Sequence, residues 1–134
     1  NNRSQWQQTE RNLLLLDAYN ANPSSMSTTL KHFAGTIESS KQSGICILGD
    51  MGELGDFGME AHERLLHLAS ELNLIVWTVG PLFAHAASLH FKNVRAFGDI
   101  ESARSALKQE SWTDRRILLK GSRSIALERL VDEL

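Results

Sequence analysis

A single cysteine, two prolines and one tyrosine in 134 residues rule out several kinds of protein at once. One thiol cannot close an intramolecular disulfide, so this is no stapled secreted scaffold. Cys46 sits in the apolar run Ile45 to Leu48, reads as a small core residue, and is compatible with a reducing compartment. No apolar run approaches the roughly 20 residues a membrane span needs, and no basic-then-apolar leader occurs, so a soluble, unexported, cytoplasmic chain is expected. Charge of one sign is also lacking. The 14 basic and 16 acidic residues leave a net charge of -2, too small a field to gather nucleic acid or an anionic membrane. There is no Gly-x-x-x-x-Gly-Lys-Ser/Thr to cradle a triphosphate. His62 and His67 lie five apart, about 140° around a helix, where metal ligation wants i and i+4. His32, His85 and His90 have no partners at ligand spacing. No metal site is expected, and no Ser/His/Asp arrangement offers a catalytic residue.

What the chain does have is a strand that turns directly into a helix. Leu13 to Leu16 are consecutive leucines. Such a run cannot alternate between core and water, so it fits a strand covered on both faces, as in an open parallel sheet. Asp17 ends the strand, Pro23 suits a first helical turn and Asn22 can cap it. In open α/β sheets ligands gather beyond the carboxyl ends of strands, where Asp17, Tyr19, Asn20 and Asn22 fall. A plainer reading gives the asparagines only to the turn and the cap.

Strand and helix then alternate. Met26, Leu30, Phe33, Ala34 and Ile37 form one helical stripe, and Ala61, Leu65, Leu68, Ala69 and Leu72 another. Further elements are expected at Ile45 to Leu48, Leu74 to Val79, Pro81 to His90, Val94 to Phe97, Asp99 to Gln109, Arg116 to Leu119 and Ser124 to Leu134. The order predicts an α/β, three-layer Rossmann-like domain: a mostly parallel sheet of about six strands, helices on both faces and right-handed crossovers. A domain of this size can bury roughly two thirds of its unfolded surface. Residues 1–11 are polar and read as an incoming linker with an edge strand near Ser4 to Thr9; residues 12–134 read as the domain. The chain starts at Asn1 without methionine, so it is expected to be a piece of something longer.

Two loops invite chemistry. Gly49 to Gly58 has a glycine at every third position but no Gly-x-Gly-x-x-Gly, and Asp50 and Glu53 stand where a phosphate would need bare N–H groups. It is either a long turn with acids near a helix start or a functional loop. Lys120-Gly121-Ser122-Arg123 brings two cations to a strand end ahead of an expected helix, which suits a carboxylate or phosphate. Alternatively Lys120 snorkels and Ser122 caps.

Three segments then fall into one pattern: Asp17-Ala18-Tyr19-Asn20-Ala21-Asn22-Pro23-Ser24-Ser25-Met26, Ile47-Leu48-Gly49-Asp50-Met51-Gly52-Glu53-Leu54-Gly55, and Leu119-Lys120-Gly121-Ser122-Arg123-Ser124. In this order and spacing they resemble the C-terminal domain of the Mur ligases, of the MurF type. The resemblance covers essentially the whole chain and neither of the family's other two domains. It implies the third domain of an ATP-dependent amide ligase, of the acid-amino-acid class, that joins D-alanyl-D-alanine to a UDP-MurNAc-tripeptide in peptidoglycan synthesis through an acyl phosphate. ATP and Mg2+ would be held mainly by an upstream central domain, and a UDP-binding domain would precede that. This piece, expected monomeric and inactive alone, would close over ATP. The resemblance places Asp17, Asn20 and Asn22 at the ribose and base of the nucleotide and Arg3 at its phosphates. The Gly49 to Gly58 turn would face the shared cleft, and Lys120, Ser122 and Arg123 would orient the dipeptide. Rival readings are another Mur-family ligase, a free-standing binding module, and a phospho-receiver-like signalling domain using Asp17, Asp50, Thr78 and Lys120. A receiver needs paired acids after its first strand, and Asp17 is followed by Ala18.

Overall fold

The computed structural model describes residues 4–91 and 93–134, without the side chains of Leu89 and His90. Among the described residues six strands form one sheet: β1 (Gln5–Gln8), β2 (Leu13–Asp17), β3 (Ile45–Gly49), β4 (Ile75–Val79), β5 (Val94–Phe97) and β6 (Arg116–Lys120). The α-helices described beside them are α1 (Pro23–Thr36), α2 (Gly58–Glu71), α3 (Pro81–His90) and α4 (Ile100–Leu107). The sheet order is β1-β2-β6-β3-β4-β5, with β1 antiparallel to β2 and the other pairs parallel.

This order explains the layers. The steps β2 to β3, β3 to β4 and β4 to β5 all run one way across the sheet, and a right-handed crossover keeps their helices on one face. There α1, α2 and α3 pack Met26, Leu30, Phe33, Leu65, Leu66, Phe83 and Ala86 against Leu15, Cys46, Leu48 and Val76. The step from β5 to β6 runs back, so α4 lies on the other face, where Ala103 and Leu107 join Leu127 and Leu130 over Leu14, Ile45, Trp77 and Ile117. The leucine run splits as its burial demands, Leu15 to one core and Leu14 to the other.

The C-terminus differs from expectation. Ser124 to Leu134 forms no α-helix; Arg123–Ile125 and Leu127–Glu133 are 3-10 segments, broken at Ala126 with φ 60°. At three residues per turn, Leu127, Leu130 and Val131 reach the sheet, and a left-handed residue between the segments resets the chain's direction. The first helix, α1, closes at Thr36, one residue past Gly35.

Candidate functional site

At the carboxyl ends of β2, β6 and β3 the chain divides. The loops after β2 and β3 lead to α1 and α2 on one face, whereas the segment after the intervening β6 turns to the other face. Such a parting opens a crevice, the place where open α/β sheets bind ligands.

Asp17 and Lys120 are register partners at the tips of β2 and β6. Lys120 is 2 % exposed, and its Nζ donates to Asp17 Oδ2 at 2.8 Å and to the Asn20 carbonyl at 3.0 Å. Ser4 Oγ donates to the same Oδ2 at 2.7 Å. A buried ammonium needs such partners, since removing one strands a charge in a low dielectric. Lys120 is therefore neither snorkelling nor free: two of its three N–H donors hold the 17–20 loop in place. Arg123, exposed on the adjoining loop, lays its guanidinium 5.3 Å from the centroid of the Tyr19 ring. The two loops singled out in the sequence thus meet twice, through an ion pair below and a cation–π contact at the rim.

Asn22 is the cap that the plainer reading described. Its Oδ1 accepts from Ser25 N at 2.9 Å, and Ser25 Oγ accepts from Asn22 N at 3.2 Å, a reciprocal capping box for α1. Asn20 is exposed on the same loop. Arg3 lies outside the described residues. Ser122 contributes its backbone, donating N–H to the Asp50 carbonyl at 3.1 Å, while its hydroxyl meets Ser124 Oγ at 3.2 Å. The segment after it spans only three residues, so the helix N-terminus expected beside Lys120 and Arg123 does not form.

The Gly49 to Gly58 turn is tied down. A Cβ on Gly121 would lie 2.6 Å from Gly49 Cα, so the chain just past β6 runs too close to the end of β3 for a side chain there. Asp50 is buried and accepts from Leu82 N at 2.8 Å and Phe83 N at 2.9 Å, capping α3 from another loop. His62 Nε2 accepts from Met51 N at 3.0 Å, and its Nδ1 donates to the Gly58 carbonyl. The 4.0 Å approach of His62 Nε2 to Asp50 Oδ1 is therefore no ion pair, because the facing nitrogen carries a lone pair already in use.

Sequence reasoning missed the Asp50 cap and the Tyr19–Arg123 contact. The first had a signal: Gly80-Pro81 opens a helix without a side-chain cap, so an acceptor had to come from elsewhere. The second had none, because 104 residues separate its partners.

These acids do not suit Mg2+. Asp17 is paired with Lys120 and Asp50 with α3, and the described residues contain no cluster of three or more His, Cys, Asp or Glu able to hold a metal. Nor does the receiver-like constellation assemble as a whole: Lys120 meets Asp17, but Thr78 is buried within β4 and Asp50 is bound to α3.

The family profile for the Mur ligase, glutamate ligase domain, matches residues 2–123. The chain belongs to this family of Mur ligase C-terminal domains. It is 42% identical over 122 residues to the UDP-N-acetylmuramoyl-tripeptide--D-alanyl-D-alanine ligase of Treponema pallidum, covering 87% of this chain and 26% of that protein. Crystal structure II of MurF from Acinetobacter baumannii superposes with a TM-score of 0.79 at 31% identity, over 99% of this chain and 30% of that one. The MurF ligase of Thermotoga maritima, solved in complex with ADP, shares the fold with a TM-score of 0.76 at 22% identity, over 98% of this chain and 30% of its own. The chain thus spans about a quarter of the length of the curated relative.

Proposed function

We propose that this chain is the C-terminal domain of a longer, cytoplasmic, monomeric ATP-dependent ligase that joins D-alanyl-D-alanine to a UDP-MurNAc-tripeptide. Its substrates would lie between this domain and preceding central and UDP-binding domains. The single observation carrying the reading is that the loop of Asp17, Asn20 and Asn22 and the loop of Lys120, Ser122 and Arg123 are fastened together at the sheet's switch point. The similarity to D-alanyl-D-alanine ligases supports the choice of substrates.

The roles follow from which groups are already committed. Lys120 builds the site instead of reaching a ligand. Among the described residues, both side-chain bonds to Asp17 fall on Oδ2, so Oδ1 faces the task of meeting a ribose hydroxyl. Asn20 and Asn22 stand with it on the nucleotide side, and Arg3 on the incoming linker would reach the phosphates. Arg123 offers a planar set of donors matched to the dipeptide carboxylate. Ser122 fixes the loop that presents it. When the substrate carboxylate has been phosphorylated, the dipeptide amine attacks the acyl carbon and phosphate leaves. Among the described residues none is proposed as a general base. The domain orients the amine and, on closing, excludes water that would hydrolyse the acyl phosphate. Mg2+ would be held by the central domain.

The test is steady-state kinetics of the full-length ligase. Asn20→Ala should raise KM for ATP and leave KM for the dipeptide unchanged, and Arg123→Ala should do the reverse. Unchanged ATP dependence in a folded Asn20→Ala variant removes the nucleotide role; normal dipeptide kinetics in Arg123→Ala removes the carboxylate role. Asp17→Ala is a poor probe, because it strands the buried Lys120.

A further inference from the structure

We propose that Tyr19 is a positioning residue for Arg123, holding its guanidinium ready for the carboxylate of the incoming amine substrate. The inference rests on the reading of Arg123 given above and adds a residue to that site. Tyr19 is 46 % exposed, so its ring is not committed to the core, and it leaves the strand end two residues after Asp17. Arg123 lies over the face of that ring, with Cζ 5.3 Å from the centroid, inside the range of a cation–π contact. Among the described residues no carboxylate comes within ion-pair distance of Arg123, whereas Lys120 is consumed by Asp17 and Asn20.

A guanidinium held over an aromatic ring spends no N–H donor on a hydrogen bond there, so its donors stay available for the paired bonds to a carboxylate. A free arginine loses rotamer entropy when it is fixed. Part of that loss has already been taken when the ring holds the side chain, which lowers the cost of engaging the ligand. The phenol hydroxyl has no part in this, so the contact depends on the ring alone.

An exposed contact of this kind changes an equilibrium by roughly two- to five-fold. In the full-length ligase, Tyr19→Leu should raise KM for D-alanyl-D-alanine by that factor while kcat and KM for ATP hold. Tyr19→Phe should restore it, and Tyr19→Leu should add nothing in an Arg123→Ala background. A KM for ATP that rises as much as that for the dipeptide, independent effects in the double variant, or failure of Tyr19→Phe to rescue would each overturn the proposal. If Arg123→Ala alone leaves dipeptide kinetics normal, the parent reading falls and this one with it, an outcome distinct from the other three. In the 134-residue chain itself, NMR should show a ring-current shift of the Arg123 Nε proton that disappears in Tyr19→Leu; no such shift in the parent chain would refute the contact.

Discussion

Replacing Asp50 by alanine should destabilise this domain far more than a loop substitution ordinarily does. Asp50 is 6 % exposed, and its carboxylate accepts two N–H groups from the first turn of α3, a helix whose own N-cap is Gly80. Hydrogen bonds to a charged acceptor contribute about 1.5–3 kcal/mol each, and an orphaned buried N–H costs about 1–3 kcal/mol. Phe83 N is buried, whereas the bond to Leu82 N is only partly so and water can replace some of it. The expected loss is about 3–4 kcal/mol for Asp50→Ala and about half that for Asp50→Asn, which retains one acceptor. For a domain of this size that lowers Tm by roughly 10–15 °C. Urea unfolding followed by fluorescence of the buried Trp77 should show the midpoint falling with an unchanged slope. Gly80 supplies an internal control. Its φ is 122°, and a Cβ there would sit 2.3–2.6 Å from the atoms of the Asp50 carboxylate. Gly80→Ala should therefore cost more in the parent chain than in an Asp50→Ala background, where only about 1–3 kcal/mol of backbone strain remains. A loss below 1 kcal/mol in Asp50→Ala, or strict additivity in the cycle, would refute the claim that this carboxylate caps α3.

Three further outcomes are expected. Lys120→Met should cost about 3–5 kcal/mol by leaving Asp17 unpaired, and Lys120→Met with Asp17→Leu should cost clearly less than the sum of the singles; additive unfolding energies would deny the coupling. Cys46 is fully buried, and desolvation pushes its thiol well above the usual range, so a thiol reagent should label it only on global unfolding; fast labelling of the native chain would contradict the packing. Asp99 caps α4, and bonds from the Ser102 backbone N–H and then its hydroxyl hold the carboxyl below its ordinary value. Its contribution to stability is complete above the unfolded pKa and lost as pH falls through the depressed folded one. An NMR titration should place Asp99 below an aspartate that lacks such bonds, and Asp99→Asn should flatten that acid limb of the stability curve.

The strands and most helices were legible because their cause is local. Apolar stripes at helical spacing and unbroken apolar runs define burial wherever the chain folds, which is why Val94–Phe97 and Pro81–His90 matched to the residue. The C-terminal segment was misread because Leu127 and Leu130 fit a spacing of three as well as one of 3.6, and only the sheet beneath them selects between the two. At the site, the sequence identified the loops but not which of their groups were already engaged. Asn22 as cap could be read from Pro23 beside it. The commitment of Lys120 to Asp17 depends on β6 inserting beside β2, a fact of sheet order that no spacing along the chain encodes.

The edge strand β1 has a practical consequence. All of Gln5 to Gln8 is exposed, and its pairing hides the main chain of Leu13 to Leu16, which would otherwise form the sheet's outer border. A version of this domain trimmed to begin near Asn12 would present a row of leucines with unpaired amides to other molecules. It should be prone to clump through strand-to-strand pairing, so anyone shortening the chain should keep the glutamines.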